Sequence, residues 1–146
     1  MSARALSSET LHVSSVARNG VAILISGPSG AGKSDLALRL IDRGARLVSD
    51  DYTIVRRVKG QLLASAPDTI IGKMEVRSLG IIEFERVDDV PVGLFVDLGA
   101  PVERMPEAIG SVVVAGVTLP SVALHGHESS TPIKVELALE RFGLKP

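Results

Sequence analysis

Apolar and polar positions alternate along the chain in a way that predicts short strands around one early helix and one late helix. Residues 11–17 read as a strand of mixed pattern, followed by Asn19-Gly20. That dipeptide favours a tight hairpin because both central residues need φ > 0. Residues 21–25 are apolar at every position, which predicts a strand buried on both faces and paired with the first. His12 would then stand at the end of the partner strand, beside whatever follows residue 25. Residues 35–41 have helical spacing, with Leu36, Leu40 and Ile41 on one face, Ala37 beside them and Gly44 as a stop. Residues 45–49 return as a strand that should run parallel to 21–25 by a right-handed crossover. Its carboxyl end carries Asp50 and Asp51, on the sheet edge where open α/β sheets bind ligands.

Further along, residues 52–58 and 61–65 flank Lys59-Gly60 and read as a second hairpin. Residues 66–73 break the pattern around Pro67 and Gly72, so a loop is expected. Glu75 and Arg77 share one side of an extended segment that leads into a buried strand at Ile81-Ile82. From the residues alone, the two read as a surface ion pair. Strands follow at 92–98, 112–115 and 117–124, the last an edge strand because Pro120 interrupts it. His125-Gly126-His127-Glu128 reads as an exposed loop in preference to a metal cluster. A final helix at 133–142 presents Ile133, Leu137 and Phe142 as its apolar side, and Gly143 ends it.

Between the strand at 21–25 and the helix at 35–41 lies Gly27-Pro28-Ser29-Gly30-Ala31-Gly32-Lys33-Ser34. It fits G-x-x-x-x-G-K-[ST], the phosphate-binding P-loop, in the strand-loop-helix setting that motif requires. Glycines let successive N–H groups point into one concavity, and the positive end of the following helix adds to the attraction for phosphate. Lys33 would reach the terminal phosphates and the Ser34 hydroxyl would ligate Mg²⁺. Neighbouring side chains on an extended chain point to opposite sides. One of Asp50 and Asp51 could therefore serve a metal and the other the reacting hydroxyl, as phosphoryl transfer requires.

Composition narrows the classes. The 146 residues suit one domain spanning 1–146. Hydrophobic residues make up 45% and aromatics 3%, so the core is built from Val, Ile, Leu and Ala. A net charge of −1 gives no nucleic-acid footprint. No apolar run approaches the ~20 residues of a membrane span, and residues 1–6 lack a signal-peptide core. There is no cysteine, which excludes disulfides and thiolate zinc sites. A cytoplasmic protein is the expectation.

With these residues in order, the chain resembles the catalytic domain of the HPr kinase/phosphorylase family, which phosphorylates a serine of the phosphocarrier HPr. The resemblance rests on His12, the P-loop, residues 43–51 and Glu75-Val76-Arg77-Ser78-Leu79-Gly80-Ile81-Ile82, close to the family signature E-I-R-G-L-G-I-I. It covers residues 11 to 84. It implies an α/β fold, a P-loop kinase variant related to phosphoenolpyruvate carboxykinase, with a mixed sheet, hairpins and flanking helices. It implies ATP and Mg²⁺ as cofactors, HPr as partner, Asp51 as acid/base group, and Asp50 and Glu75 with Ser34 at the metal. His12 would belong to the active site, Arg77 would hold phosphate charge or position the loop, and Arg104 matches a further family arginine.

The chain departs from the family in three ways. The P-loop begins within the first thirty residues, which leads to the expectation of a short variant without the family's N-terminal domain. The segment between Phe84 and Val92 is short. The family's C-terminal Gly-Arg stretch, linked with dephosphorylation, has no counterpart in 124–130. Reverse phosphorolysis and homo-oligomeric assembly therefore stay open, as do two rival readings, a P-loop kinase of a small metabolite and a non-catalytic nucleotide-binding regulator.

Overall fold

The turn at Asn19-Gly20 shows how local chemistry sets the sheet. In the computed structural model, which describes residues 7–146, Asn19 and Gly20 have φ of 53° and 77°. They join β2 (Ser14–Arg18) to β3 (Val21–Ser26) as an antiparallel pair. The strand expected over 11–17 is broken at His12-Val13. Its first part, β1 (Ser8–Leu11), pairs instead with β5 (Thr53–Val58). Lys59 and Gly60, at φ 51° and 79°, turn β5 back into β6 (Gln61–Ser65) as expected.

Between these hairpins, α1 (Lys33–Asp42) leads into β4 (Arg46–Ser49). β4 pairs antiparallel with β2, which is itself antiparallel to β3. β4 therefore runs in the direction of β3 as expected, with β2 inserted between them. The carboxyl ends of β3 and β4 open on the same edge.

The centre of the sheet is β9 (Val90–Asp97), parallel to β3 and antiparallel to β6 at its start. The path runs β1-β5-β6-β9-β3-β2-β4. Beyond the end of β6, β9 pairs in parallel with β11 (Val117–Ala123), which carries β10 (Gly110–Val114). β11 is thus not the edge strand expected from Pro120. Pro120 lies opposite Ser111, one residue before the ladder to β9 begins at Ser121, so its missing N–H costs that ladder nothing.

Side chains of β3 alternate between two apolar layers. Ile23 and Ile25 face Leu36, Ala37 and Leu40 of α1, whereas Ala22 and Leu24 face Val55, Leu62 and Leu119. The strand is buried on both faces, as its continuous apolar run predicts. β7 (Lys73–Val76) and β8 (Gly80–Glu83) form a separate hairpin. Met74 enters the core, but Ile81 is 63% exposed, so the expected buried strand at 81–82 is not found. A two-stranded ribbon outside the main sheet has one face left over.

α2 (Thr131–Phe142) also differs from expectation in the face it buries. Val135 and Ala138 pack inward, while Ile133 and Leu137 are exposed. Two stripes on this helix satisfy the helical period, and the one with the smaller side chains meets the sheet. The following chain lies directly on β9. Leu144 N–H donates to Gly93 O at 3.0 Å, and a Cβ at Gly93 would meet Leu144 O at 2.9 Å. Glu136 accepts from Arg43 Nε and Nη2 at 2.9 and 2.7 Å, tying α2 to α1. These hydrogen bonds raise the pKa of the Arg43 guanidinium above its ordinary value. Among the described residues no helix is long and apolar enough to cross a membrane.

Candidate active site

The loop between β3 and α1 closes because its glycines are irreplaceable. A Cβ on Gly27 would meet the Cβ atoms of Ala31 and Leu98 at 3.0 and 3.1 Å. Gly30 and Gly32 have φ of 84° and 93°, a region that costs an L side chain strain. Ala31 N–H donates to Pro28 O at 3.0 Å, and Leu36 N–H to Gly32 O at 2.8 Å, starting α1. Lys33 is buried to 8% exposure, and its Nζ donates to Gly27 O at 2.7 Å and Pro28 O at 3.3 Å. Its ammonium is thus held at the loop by carbonyl oxygens.

Asp50 reaches the same point from β4. It is 7% exposed and accepts from Ser34 Oγ at 2.6 Å and Ser14 Oγ at 3.1 Å on one oxygen. Its other oxygen accepts Glu75 N–H at 3.3 Å. Three elements therefore meet on one carboxylate. Hydrogen bonds of this kind offset the cost of burying a charge.

Asp51 takes the opposite direction. Its φ of 68° is left-handed, so the two acids diverge through a turn and not along the extended pleat expected from the sequence. Asp51 N–H donates to Ser14 Oγ at 3.0 Å. Its side chain meets His12 Nε2 at 2.8 Å, and both side chains are more than half exposed, at 56% and 54%. The His12 ring stacks on Tyr52, centroids 4.8 Å apart and planes 15° from parallel. The break that separates β1 from β2 is what places His12 there.

A cleft of ≈ 680 Å³ runs over these groups. Lys33, Ser34, Asp50, Asp51 and His12 line it from one side, Glu75 and Arg77 of the β7–β8 hairpin from the other. Among the described residues Glu75 and Arg77 form no ion pair with each other, so the surface-pair reading does not hold. Gly27, Pro28 and Ala31 lie behind the rim, and Ser29, Gly30 and Gly32 line the cleft. Arg104 does not join them. It is exposed on the connection between β9 and β10 and is not among the residues that line the cleft.

Three participants were not foreseen. Ser14 bridges the two aspartates, and a polar pair, Ser14-Ser15, in a buried strand was its available signal. Tyr52 backs His12. His127 donates from Nε2 to Gly30 O at 3.0 Å, and its ring lies on Gly32. The loop that carries it is exposed, as expected, but it is packed against the P-loop. Arg39 of α1 donates to Gly126 O and, at 2.9 Å, to Glu128 O, which fixes the loop there.

A family model described as the HPr Serine kinase C-terminal domain matches residues 4–88. The HPr kinase/phosphorylase of Clostridium beijerinckii is 49% identical over 73 residues, 50% of this chain and 24% of that protein. The HPr kinase/phosphorylase of Chloroherpeton thalassium is 39% identical over 127 residues, covering 77% of this chain and 37% of that protein. The chain thus spans well under half the length of these curated relatives. The solved structure of the Hpr(Ser) kinase/phosphatase from Coxiella burnetii matches with a TM-score of 0.78 at 25% identity, over 90% of this chain and 94% of that one.

Proposed function

The chain belongs to the HPr Serine kinase C-terminal domain family, and on that footing we propose that it is an ATP- and Mg²⁺-dependent protein serine kinase acting on HPr. The observation that carries this reading is the placement of Asp51. Its carboxylate stands on an open edge, 56% exposed, beside a P-loop whose Lys33 is buried. A protein loop carrying a serine can reach such an edge. A kinase of a small metabolite would enclose its substrate, and the open placement of Asp51 speaks against that.

The chain's own residues supply most of the chemistry. The serine hydroxyl sits against Asp51, which orients it and takes its proton as the new O–P bond forms. A carboxylate is a weak base, so Asp51 works by position more than by basicity. His12, in contact with Asp51 at 2.8 Å and stacked on Tyr52, fixes the direction of that carboxylate. Lys33 and the loop amides offset the charge on the departing phosphates. Arg77 at the facing rim adds positive charge on the substrate side.

The donor set also fits Mg²⁺. Ser34 Oγ and Asp50 Oδ1 are hard oxygen donors 2.6 Å apart, and Glu75 lines the same cleft. Mg²⁺ is commonly held by one or two such groups together with phosphate oxygens and water. When bound there, it would neutralise phosphate charge. In fold terms the mixed sheet, hairpins and two helices support a P-loop kinase variant related to phosphoenolpyruvate carboxykinase, and a cytoplasmic setting is part of the proposal. Homo-oligomeric assembly and reverse phosphorolysis are part of the same proposal. In the reverse reaction Asp51 would return the proton to the serine.

The test is phosphate transfer from γ-labelled ATP to purified HPr with Mg²⁺, followed by mapping of the labelled residue, with Asp51→Asn in parallel. Label on one HPr serine, lost in the variant, is the expected result. ATP binding with no label on HPr would overturn the assignment and leave the kinase of a small metabolite or the nucleotide-binding regulator in its place.

A further inference from the structure

Two segments brace the outer wall of the P-loop, and they are anchored differently. Leu98 and Gly99 continue β9 beside β3, and Leu98 N–H donates to Ser26 O at 2.8 Å, so the sheet itself holds them. The strap of residues 125–128 has left the sheet. Leu124 N–H makes the last bond to β9 among the described residues, to Asp97 O at 3.1 Å.

Beyond that point side chains take the strap's carbonyl oxygens. Thr131 Oγ1 donates to His125 O. Arg39 of α1 donates from Nη2 to Gly126 O and from Nη1 to Glu128 O, the latter at 2.9 Å. One guanidinium therefore grips the backbone on both sides of His127. Its planar fork suits two fixed acceptors, which a single ammonium does not match. Arg39 Nε lies 3.0 Å from Asp35 Oδ2, one helical turn back, which sets the plane of the fork.

The strap in turn sets two peptide planes of the P-loop. The plane between Gly30 and Ala31 is held at both ends: its oxygen accepts from His127 Nε2 at 3.0 Å, and its N–H donates to Pro28 O at 3.0 Å. In the next peptide Ala31 O faces Gly126, where a Cβ would run into it. A planar trans peptide points its N–H opposite to its C=O. The N–H of Gly32 is thus directed away from Gly126, and Gly32 lines the cleft. Gly30 and Gly32 stand at φ of 84° and 93°. Glycine enters such conformations readily and leaves them as readily, so these residues permit the loop shape without enforcing it.

From this chain of contacts, and resting on the ATP-binding part of the kinase reading above, we infer that Arg39 is a positioning residue. It touches no phosphate. Through the strap and His127 it keeps the P-loop in the shape that receives phosphate.

Calorimetric titration with ATP and Mg²⁺ separates this role from a merely structural one. A loosened fold lowers the fraction of protein that binds and leaves the affinity of that fraction as it was. Arg39→Ala should instead keep the stoichiometry and bind ATP about tenfold more weakly, the order of one lost charge-assisted hydrogen bond. Tripolyphosphate, which carries no nucleoside, should weaken by the same factor, because the strap shapes the part of the loop that meets phosphate. In a His127→Ala background Arg39→Ala should cost less than in wild type, since that route to the loop is gone. Unchanged ATP affinity in Arg39→Ala would overturn the inference. So would a loss confined to ATP with tripolyphosphate unaffected, or an equal cost in the two backgrounds. Arg39→Lys keeps the aliphatic stem and the charge, and serves if Arg39→Ala does not fold. It should bind ATP more weakly than wild type, and wild-type affinity in that variant would count against the fork. Wild-type protein that binds neither ATP nor tripolyphosphate is a different result, removing the P-loop reading on which the inference rests.

Discussion

Ser34 Oγ and Asp50 Oδ1 are joined by a 2.6 Å hydrogen bond across sixteen residues of sequence. That bond links the start of α1 to the end of β4. Asp50 also satisfies Ser14 and the Glu75 amide, so its removal strands three donors, one buried and two partly buried. Asp50→Ala should therefore cost about 1–3 kcal/mol of stability, the range for buried groups left without a partner. The same variant should lose the Mg²⁺ dependence of ATP binding. Urea denaturation and ATP titration with and without Mg²⁺ read the two effects separately. A variant as stable as wild type would show that these bonds are not made in solution.

His12 and Asp51 make a different kind of contact, exposed and at the mouth of the cleft. Loss of an acid/base group typically costs about 10²–10⁴ in rate. Asp51→Asn should reduce transfer to HPr within that range while ATP affinity changes by less than about threefold. His12→Ala should fall between the two, because Asp51 stays in place but loses the contact that directs it. Initial rates with saturating ATP measure both. Full activity in Asp51→Asn would require another base.

Gly32 is constrained twice. Its φ of 93° disfavours any side chain, and a Cβ would come within 3.0 Å of the His127 ring. A left-handed conformation costs a non-glycine residue roughly 1–2 kcal/mol. Gly32→Ala should therefore distort the loop and reduce ATP affinity by at least about tenfold. In a His127→Ala background the same substitution should cost less than in wild type, because the steric component is removed and the backbone component stays. An equal cost in the two backgrounds would mean that backbone strain alone is responsible.

The candidate site was legible in the sequence wherever one short stretch carries a whole function. The P-loop needs only its eight residues and a strand and helix beside them, and all of these are contiguous. Asp50 and Asp51 were legible because a strand that returns after a helix has a set direction. The two-residue turns at Asn19-Gly20 and Lys59-Gly60 were legible because φ > 0 is a local demand. The part played by His127 was not, because it depends on β11 lying parallel to β9, a pairing between segments that no local pattern marks. Arg104 shows the reverse case. A weak local match placed it in the site, and it is not among the residues that line the cleft.

The last helix tests how far periodicity alone can be trusted. Ile133 and Leu137 form a regular apolar stripe, yet both are exposed, and the stripe through Val135 and Ala138 is buried. Large apolar residues on an exposed face contribute little to folding, so Leu137→Ala should change stability by no more than about 0.5 kcal/mol. Leu40 of α1 is fully buried between the helix and the sheet. Leu40→Ala removes that contact and leaves a cavity, with an expected cost of about 2–5 kcal/mol. Chemical denaturation of the two variants side by side decides the matter, since the substitution is chemically the same and only the burial differs. A cost for Leu137→Ala close to that of Leu40→Ala would mean that the outer face of α2 is covered in solution.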